Sequence, residues 1–272
     1  MQSIALNKFI KLSDGSSSLS RIGFGCSRLD NADLIESKTI IEECIFSGIT
    51  HFDTAPSYGT ESLLGEIITS AKDVTISSKT GRDRNEYKKS DLALLKKIYK
   101  KSIKPIINLS PTIKNKVTKR FFKEKDYQSR KKRKLVKDEV LIELDKTLKN
   151  LKRDKLDILL IHEPDQFIID EELNELFKDL IKDGYIKEYG LGFGRGNPDM
   201  DFGRVSQSKY TGSLCGISNR INIYHGVVKK SLEIGNDSKM HFHYIRNILE
   251  HDDNNMVLFS SNRPKHIKSF LL

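Results

Sequence analysis

The sequence predicts an α/β fold in which strands and helices alternate around a (β/α)8 barrel. Between residues 22 and 193, five short β-rich runs alternate with helical patterns, which is the order that a parallel sheet requires. The chain has 272 residues, and barrels of this class commonly occupy about 250. We therefore expect residues 1–272 to form a single barrel domain.

Chemistry-bearing side chains follow three consecutive strands of this pattern. Asp53, Lys79 and His162 each end a β-rich run, and Tyr58 lies in the turn after Asp53. The carboxyl ends of parallel strands meet at one rim of a barrel, and active sites of such barrels lie at that rim. We therefore expect the four side chains to lie close together.

An Asp, a Lys, a Tyr and a His gathered at one rim can form an activated acid. The lysine cation, held by the carboxylate, is expected to lower the pKa of the tyrosine from about 10 by favouring the phenolate. The imidazole can hydrogen-bond the substrate oxygen. Taken singly, Asp53 with Lys79 could be a buried structural ion pair and His162 an ordinary buried polar group. The presence of Tyr58 beside them favours catalysis.

The motifs around these side chains are Asp-Thr-Ala at 53–55, Tyr-Gly at 58–59, Ser-Lys at 78–79 and the run from 157 to 162 that ends in histidine. Together they resemble the aldo-keto reductase family. The resemblance implies a TIM barrel whose bottom is closed by an N-terminal hairpin, here residues 4–20. It also implies NADPH-dependent reduction of an aldehyde or ketone, including a sugar carbonyl, to an alcohol. It assigns the catalytic roles to Asp53, Tyr58, Lys79 and His162.

The same resemblance implies two places where NADPH is held. Near the last strand, hydroxyls, a helix N-terminus and cations are the ingredients of an anion site for the 2′-phosphate. The residues are Ser260, Ser261, Asn262, Arg263 and His266. An ordinary helix cap with exposed charge is the alternative. Tyr224, which ends the seventh strand, stands where the family often stacks an aromatic ring on the nicotinamide, although a core tyrosine is also compatible.

Three features depart from the family pattern. Gly192-Phe193-Gly194 stands where a Ser-Asn pair usually holds the nicotinamide carboxamide, and Gln207 is the nearest candidate for the glutamine of strand six. Strand six itself is hard to identify. It is either rudimentary, near residues 210–217, or absent from an incomplete, compressed barrel. These departures leave a second hypothesis, a catalytically impaired relative with a binding or regulatory role.

A strongly basic segment follows the third strand. Residues 84–134 hold 19 Lys or Arg against four acidic residues, a net charge of +15, while the whole chain is +10, so the rest is about −5. Residues 114–134 could bind nucleic acid or an anionic membrane surface through this charge. Without a recognisable binding motif, we favour a solvated insertion into the barrel.

Composition excludes several other classes. The three cysteines form neither a disulfide framework nor a metal-ligand spacing, so we expect a reduced, cytoplasmic protein with no metal. No run approaches the roughly 20 apolar residues of a membrane span. Glycines at 190–196 do not form the G-x-G-x-x-G fingerprint of a Rossmann site. A small-molecule carbonyl compound is the expected partner.

Overall fold

Eight parallel strands close into a barrel in the part of the chain that the structure describes. The structure is a computed structural model that describes residues 9–267, except for 16, 32–33, 70, 72, 82–131, 195–199, 215, 235–239 and 265. In barrel order the strands are β3 (Ile22–Gly25), β4 (His51–Asp53), β5 (Thr75–Thr80), β7 (Leu156–His162), β9 (Ile186–Gly192), β10 (Val205–Lys209), β11 (Ile221–His225) and β12 (Asn255–Phe259). The predicted barrel is confirmed, and it is complete.

Helices follow the strands on the outside of the barrel. They are α1 (Leu34–Phe46), α2 (Glu61–Ile68), α3 (Lys137–Leu151), α4 (Glu171–Lys182), α5 (Val227–Ile234) and α6 (Met240–His251). Their buried apolar faces join the outward-facing strand residues in one large cluster, which includes Ile41, Leu64, Leu144, Phe177 and Ile248. Among the described residues, none of these helices combines the length and apolar character that crossing a bilayer requires.

The sixth barrel strand is Val205–Lys209, which pairs with β9 on one side and β11 on the other. The prediction of a rudimentary strand near 210–217, or of an incomplete barrel, is therefore wrong. Its sequence, Val-Ser-Gln-Ser-Lys, carries one apolar side chain, so hydrophobicity did not mark it. The region is short, as predicted, because only residues 193–204 lie between β9 and β10 and only residues 210–220 lie between β10 and β11.

A two-stranded hairpin closes the amino-terminal end of the barrel. Strands β1 (Phe9–Lys11) and β2 (Ser18–Ser20) place Ile10, Leu12 and Leu19 in the apolar cluster of the barrel interior. Glu188, at the base of β9, accepts hydrogen bonds from Ser13 N at 2.7 Å and Ser13 Oγ at 2.6 Å. The lower end is thus filled by protein, which leaves the opposite rim as the open end.

The basic segment falls almost wholly outside the described residues. Only its last three positions, residues 132–134, are described, and Arg133–Lys134 forms the short strand β6, which pairs with β8 (Phe167–Ile168). The prediction of an insertion after the third barrel strand therefore stays a prediction.

Helices α2 and α3 approach closely beside the strand that carries Lys79. Glu61, fully buried at the start of α2, accepts hydrogen bonds from Ser78 Oγ at 3.0 Å, Thr147 Oγ1 at 2.8 Å and Asn150 Nδ2 at 3.1 Å. These bonds connect α2 both to α3 and to β5. They fix the helix that follows the Tyr58 turn against the barrel.

Gly65 permits this close approach, and its replacement by alanine should destabilise the fold. A Cβ atom at residue 65 would lie 2.4 Å from the carbonyl oxygen of Asn150 and 2.8 Å from Leu151 Cα, both backbone atoms. We expect Gly65→Ala to lower the free energy of unfolding by about 1–3 kcal/mol in urea denaturation. The control is Glu66→Ala, at the next residue of α2, whose side chain is exposed. This change should alter the free energy of unfolding by less than about 1 kcal/mol. Equal stability of the two variants would contradict this packing.

Candidate active site

The rim of the barrel brings the four predicted side chains into one cavity. Asp53 and His162 are the last residues of β4 and β7, Lys79 lies near the end of β5, and Tyr58 ends the 3-10 turn Pro56–Tyr58. All four line a cavity of about 520 Å³. That volume lies within the range of about 300–1,000 Å³ that is typical of small-molecule sites.

Lys79 and Asp53 form a buried ion pair at the floor of this cavity. Lys79 Nζ lies 2.7 Å from both carboxylate oxygens of Asp53 and donates a third bond to the carbonyl oxygen of Thr54 at 3.0 Å. Each of the two charged residues is only 3% exposed. A buried pair is stable only when both charges are well hydrogen-bonded, and this geometry meets that condition.

The ammonium of Lys79 stays charged in this environment. Burial by itself would lower the pKa of Lys79. The charge of Asp53 and the interactions with Tyr58 outweigh burial, so the pKa of Lys79 is raised. The Asp53–Lys79 pair therefore contributes its stability below the ordinary lysine pKa of 10.5 and loses it as the pH rises through the raised value. A fixed cation thus lies beside the tyrosine at neutral pH.

Tyr58 lies between this cation and the histidine. Lys79 Nζ is 5.0 Å from the centroid of the Tyr58 ring, and the rings of Tyr58 and His162 meet edge to face with centroids 6.0 Å apart. The turn that carries Tyr58 ends at Gly59, whose φ of 69° is left-handed and suits glycine. Tyr58 is half-buried, so its ring belongs both to the protein interior and to the cavity.

Residues that the sequence pattern did not indicate also line the cavity. Glu163 directly follows His162 with a left-handed backbone, φ 56°, and its N–H donates to the carbonyl oxygen of Gly192 at 2.8 Å. His225 Nε2 lies 3.2 Å from the carbonyl oxygen of Phe193. Burial lowers the pKa of His225, which favours its neutral form. Alternation along β11, in which Ile221 and Ile223 face inward, was the signal that could have found His225.

The side-chain amide of Gln207, in the wall of this cavity, has an acceptor atom without a hydrogen-bond partner among the described residues. It faces inward from β10, is 3% exposed, and lines the cavity wall. This acceptor, Oε1, is buried. A buried acceptor of this kind is costly unless a ligand or water completes it.

Of the residues predicted to hold the cofactor phosphate, one lines the cavity and the others lie beside it at the rim. Ser260 lines the cavity. Just beyond it, Ser261 Oγ accepts a hydrogen bond from Arg263 N at 3.1 Å and lies 3.2 Å from His266 Nδ1. Asn262 is half-buried, and Arg263 and His266 are exposed at this edge of the rim. The segment is therefore a hydroxyl-capped turn with the side chains of Arg263 and His266 exposed at its surface.

Tyr224 lies outside the cavity. It faces the outer layer of helices, is 1% exposed, and packs edge to face on Tyr210 with ring centroids 6.3 Å apart. The strand continues for one residue beyond the predicted end, so the ring at the rim belongs to His225. Because neighbouring strand residues face opposite sides, this difference of one residue moves the predicted contact to the other side of the barrel wall.

The described residues contain no cluster of three or more His, Cys, Asp or Glu side chains suited to a metal ion. The Nε2 atom of His243, on α6, lies 3.0 Å from Nδ2 of Asn247.

The family model described as "Aldo/keto reductase family" matches residues 21–199, about two thirds of the chain. The chain belongs to the aldo-keto reductase family. Membership implies oxidoreductase chemistry on small carbonyl compounds, for which the family generally uses a nicotinamide cofactor. None of the curated proteins compared with the chain matches it by sequence.

Solved structures of aldo-keto reductases share the fold at low sequence identity. A protein from Pseudomonas aeruginosa assigned to this family is 15% identical, with a TM-score of 0.66 over 100% of this chain and 97% of that one. The holo form of an aldo-keto reductase from Bacillus halodurans is 15% identical, with a TM-score of 0.61 over 97% and 89%. One from Brucella melitensis is 18% identical, with a TM-score of 0.56 over 96% and 90%. At these identities the likeness shows the fold alone.

The buried ion pair of this aldo-keto reductase family member predicts a strong coupling in stability. Asp53→Ala leaves the Lys79 ammonium buried without its carboxylate, and we expect the free energy of unfolding at pH 7 to fall by about 3–5 kcal/mol. Adding Lys79→Met removes the stranded charge, so the double variant should be more stable than Asp53→Ala alone.

The exposed pair of Lys149 and Asp145, at 2.7 Å, provides the control for this measurement. Asp145→Ala should cost less than about 1 kcal/mol, because solvent screens an exposed pair. If Asp53→Ala costs no more than Asp145→Ala in urea unfolding, the ion pair is not the buried anchor described above.

Proposed function

We propose that the protein reduces an aldehyde or ketone to an alcohol with NADPH as the reductant, and that Tyr58 is the general acid. The single observation that carries this proposal is the cavity that Asp53, Tyr58, Lys79 and His162 line together. The reaction needs a proton donor and a cation to support it, with room for a carbonyl compound between them. A sugar carbonyl is among the substrates compatible with such a site.

Each of the four residues has a task in this reaction. Tyr58 donates its O–H proton to the carbonyl oxygen. Lys79 stabilises the negative charge left on Tyr58, because the ammonium lies next to the ring and is itself held by Asp53. His162, in contact with the Tyr58 ring, orients the carbonyl oxygen by hydrogen bonding. When bound, the reduced nicotinamide supplies a hydride to the carbonyl carbon.

The residues at the rim fit a nicotinamide cofactor. The buried Oε1 of Gln207 is an acceptor suited to the N–H groups of a carboxamide. His225 would lie beside the nicotinamide ring in place of Tyr224. Gly192 and Gly194 line the wall where the family has a Ser-Asn pair, so Gln207 would supply the contact that this pair makes.

The edge of the rim supports the choice of NADPH over NADH. Arg263 and His266 are exposed beside the capped turn of Ser261, and guanidinium, imidazole N–H and hydroxyl groups can all donate hydrogen bonds to a 2′-phosphate. Ser260 reaches the same region from within the cavity. Asn262 completes this proposed phosphate segment.

A cytoplasmic location and a single domain over residues 1–272 are also part of this proposal. Cys26 and Cys44 are buried free thiols. Burial raises the pKa of each, so neither forms a thiolate readily. A reducing compartment suits such a protein.

Tyr58→Phe tests the role of the general acid. We expect kcat with NADPH and a panel of aldehydes, ketones and sugars to fall by at least about 100-fold, because the phenyl ring cannot donate a proton. The Kd for NADPH should stay within about twofold. The control, Tyr185→Phe, changes a tyrosine that is 48% exposed and outside the cavity, and it should retain full turnover. Unchanged turnover in Tyr58→Phe would contradict the assignment.

Gln207→Leu tests the cofactor site. Loss of the buried acceptor should raise the Kd for NADPH about tenfold in a fluorescence titration, while Ser208→Ala, on the outward face of the same strand, should leave it unchanged. Equal affinities of wild type and Gln207→Leu would remove Gln207 from the site. If the wild type binds no NADPH even at millimolar concentration, the second hypothesis, a catalytically impaired relative, is favoured.

A further inference from the structure

Along two neighbouring strands of the barrel, β4 and β5, every inward-facing side chain is polar. Along β4 and β5 the inward-facing side chains are all at most 7% exposed, and they are His51, Asp53, Thr75, Ser77 and Lys79. Below the rim, the inward positions of β7, β11 and β12 are apolar, with Ile158, Leu160, Ile221, Ile223, Met256 and Leu258 in one cluster. Filling the barrel therefore does not by itself explain the polar residues on β4 and β5.

The polar side chains form one chain of hydrogen bonds that ends at the ion pair. Ser77 Oγ donates to Asp53 Oδ1 at 2.8 Å. His51 Nε2 lies 3.2 Å from the same Ser77 oxygen, and His51 Nδ1 lies 3.0 Å from Thr75 Oγ1. His51 is fully buried. It thus bridges two hydroxyl groups directly below Asp53.

The chemistry of these groups fixes the direction of every bond. A carboxylate that holds a lysine can only accept, so the single proton of Ser77 points to Asp53. The Ser77 oxygen must then accept from His51, which places the proton of the imidazole on Nε2. The bare Nδ1 in turn accepts from the hydroxyl of Thr75. All the protons point towards Asp53.

We propose that His51 is a positioning residue for the proposed reaction, a neutral Nε2–H imidazole that holds the Ser77 hydroxyl on Asp53 and thereby keeps both carboxylate oxygens on Lys79. The proposal rests on the proposed function, since it acts on Tyr58 through Lys79. His51 touches neither substrate nor cofactor in this arrangement. Its contribution is to keep the cation fixed beside the general acid.

The surroundings of His51 keep it neutral. Burial, with a smaller contribution from Lys79, lowers the pKa of His51 to about 4 against the opposing effects of Asp53 and Asp157. Asp157 is occupied elsewhere, since its Oδ2 accepts from the N–H of Ile76 at 2.7 Å and its Oδ1 from Lys187 Nζ at 2.6 Å. The same ring as an imidazolium would place a second cation beneath Lys79.

The ring is also held in place by packing. A Cβ atom at Gly23, on the neighbouring strand β3, would lie 3.1 Å from Cδ2 of His51 and 2.5 Å from the terminal methyl of Met256. The glycine leaves the space that the imidazole and the methionine fill. The position of the ring is therefore set from the side as well as by its two hydrogen bonds.

The first measurement needs no turnover. In the full-length protein labelled with ¹⁵N-histidine, the signal of His51, assigned by its loss in His51→Gln, should show the Nε2–H tautomer at pH 7. In a ¹⁵N-lysine sample the Lys79 ammonium should give a signal protected from exchange. That signal should be retained in His51→Gln and lost in His51→Met. An Nδ1–H tautomer, an imidazolium, or a Lys79 signal unchanged in His51→Met would overturn the proposal.

The second measurement separates positioning from packing. Met fills a similar volume without a donor, whereas the amide N–H of Gln can replace the Nε2–H. We expect kcat to fall about tenfold in His51→Met with KM for NADPH within about twofold, and to return to within about threefold of wild type in His51→Gln. The control is His251→Met, at the exposed end of α6. Equal kcat values for the Met and Gln variants would refute a positioning role.

Two further outcomes remain decisive. If His51→Met does not fold, Ser77→Ala breaks the same link from the other side, and kcat and the Lys79 signal are expected to change in the same way. If the wild type reduces no carbonyl compound, the proposed function fails, whereas the His51 tautomer and the Lys79 ammonium signal still decide whether the hydrogen-bond chain positions the ion pair.

Discussion

The buried ion pair of Asp53 and Lys79 is the interaction on which the site depends. An ammonium group in a protein interior is unstable unless its charge is balanced and its N–H groups are bonded. Asp53 supplies both carboxylate oxygens, and Thr54 supplies a backbone carbonyl. The cation therefore has a fixed position, and Tyr58 lies against it. Any chemistry that uses the tyrosine proton depends on that position.

The closed barrel makes the pair possible. Asp53 and Ser77 are neighbours in the register of β4 and β5, so the carboxylate, the hydroxyl and the lysine two residues further along face the same interior. The hairpin of β1 and β2 fills the lower end with apolar side chains. The cavity above the pair opens at the opposite rim. The lower end of the barrel is therefore packed with protein, and the cavity lies at the opposite end.

The sequence alone was sufficient to predict the rim residues that end recognisable strands. Asp53, Lys79 and His162 each end a run that is recognisable as a strand, so their common rim followed from the parallel topology. Strand β10 was missed because barrel closure, rather than its own hydrophobicity, buries Val205 to Ser208. The register of β11 was misjudged by one residue, which exchanged Tyr224 for His225 at the cavity. These errors concern contacts between distant segments, which a single local pattern does not contain.

The direct test of the account is the fate of the hydride. A carbonyl substrate from the panel, incubated with the protein and NADPH deuterated at C4 of the nicotinamide, can be examined by mass spectrometry of the alcohol product. With deuterium at both C4 positions, we expect one deuterium on the former carbonyl carbon and no labelled alcohol in a Tyr58→Phe reaction over the same time. An alcohol formed without deuterium from this NADPH would contradict direct hydride transfer from the nicotinamide.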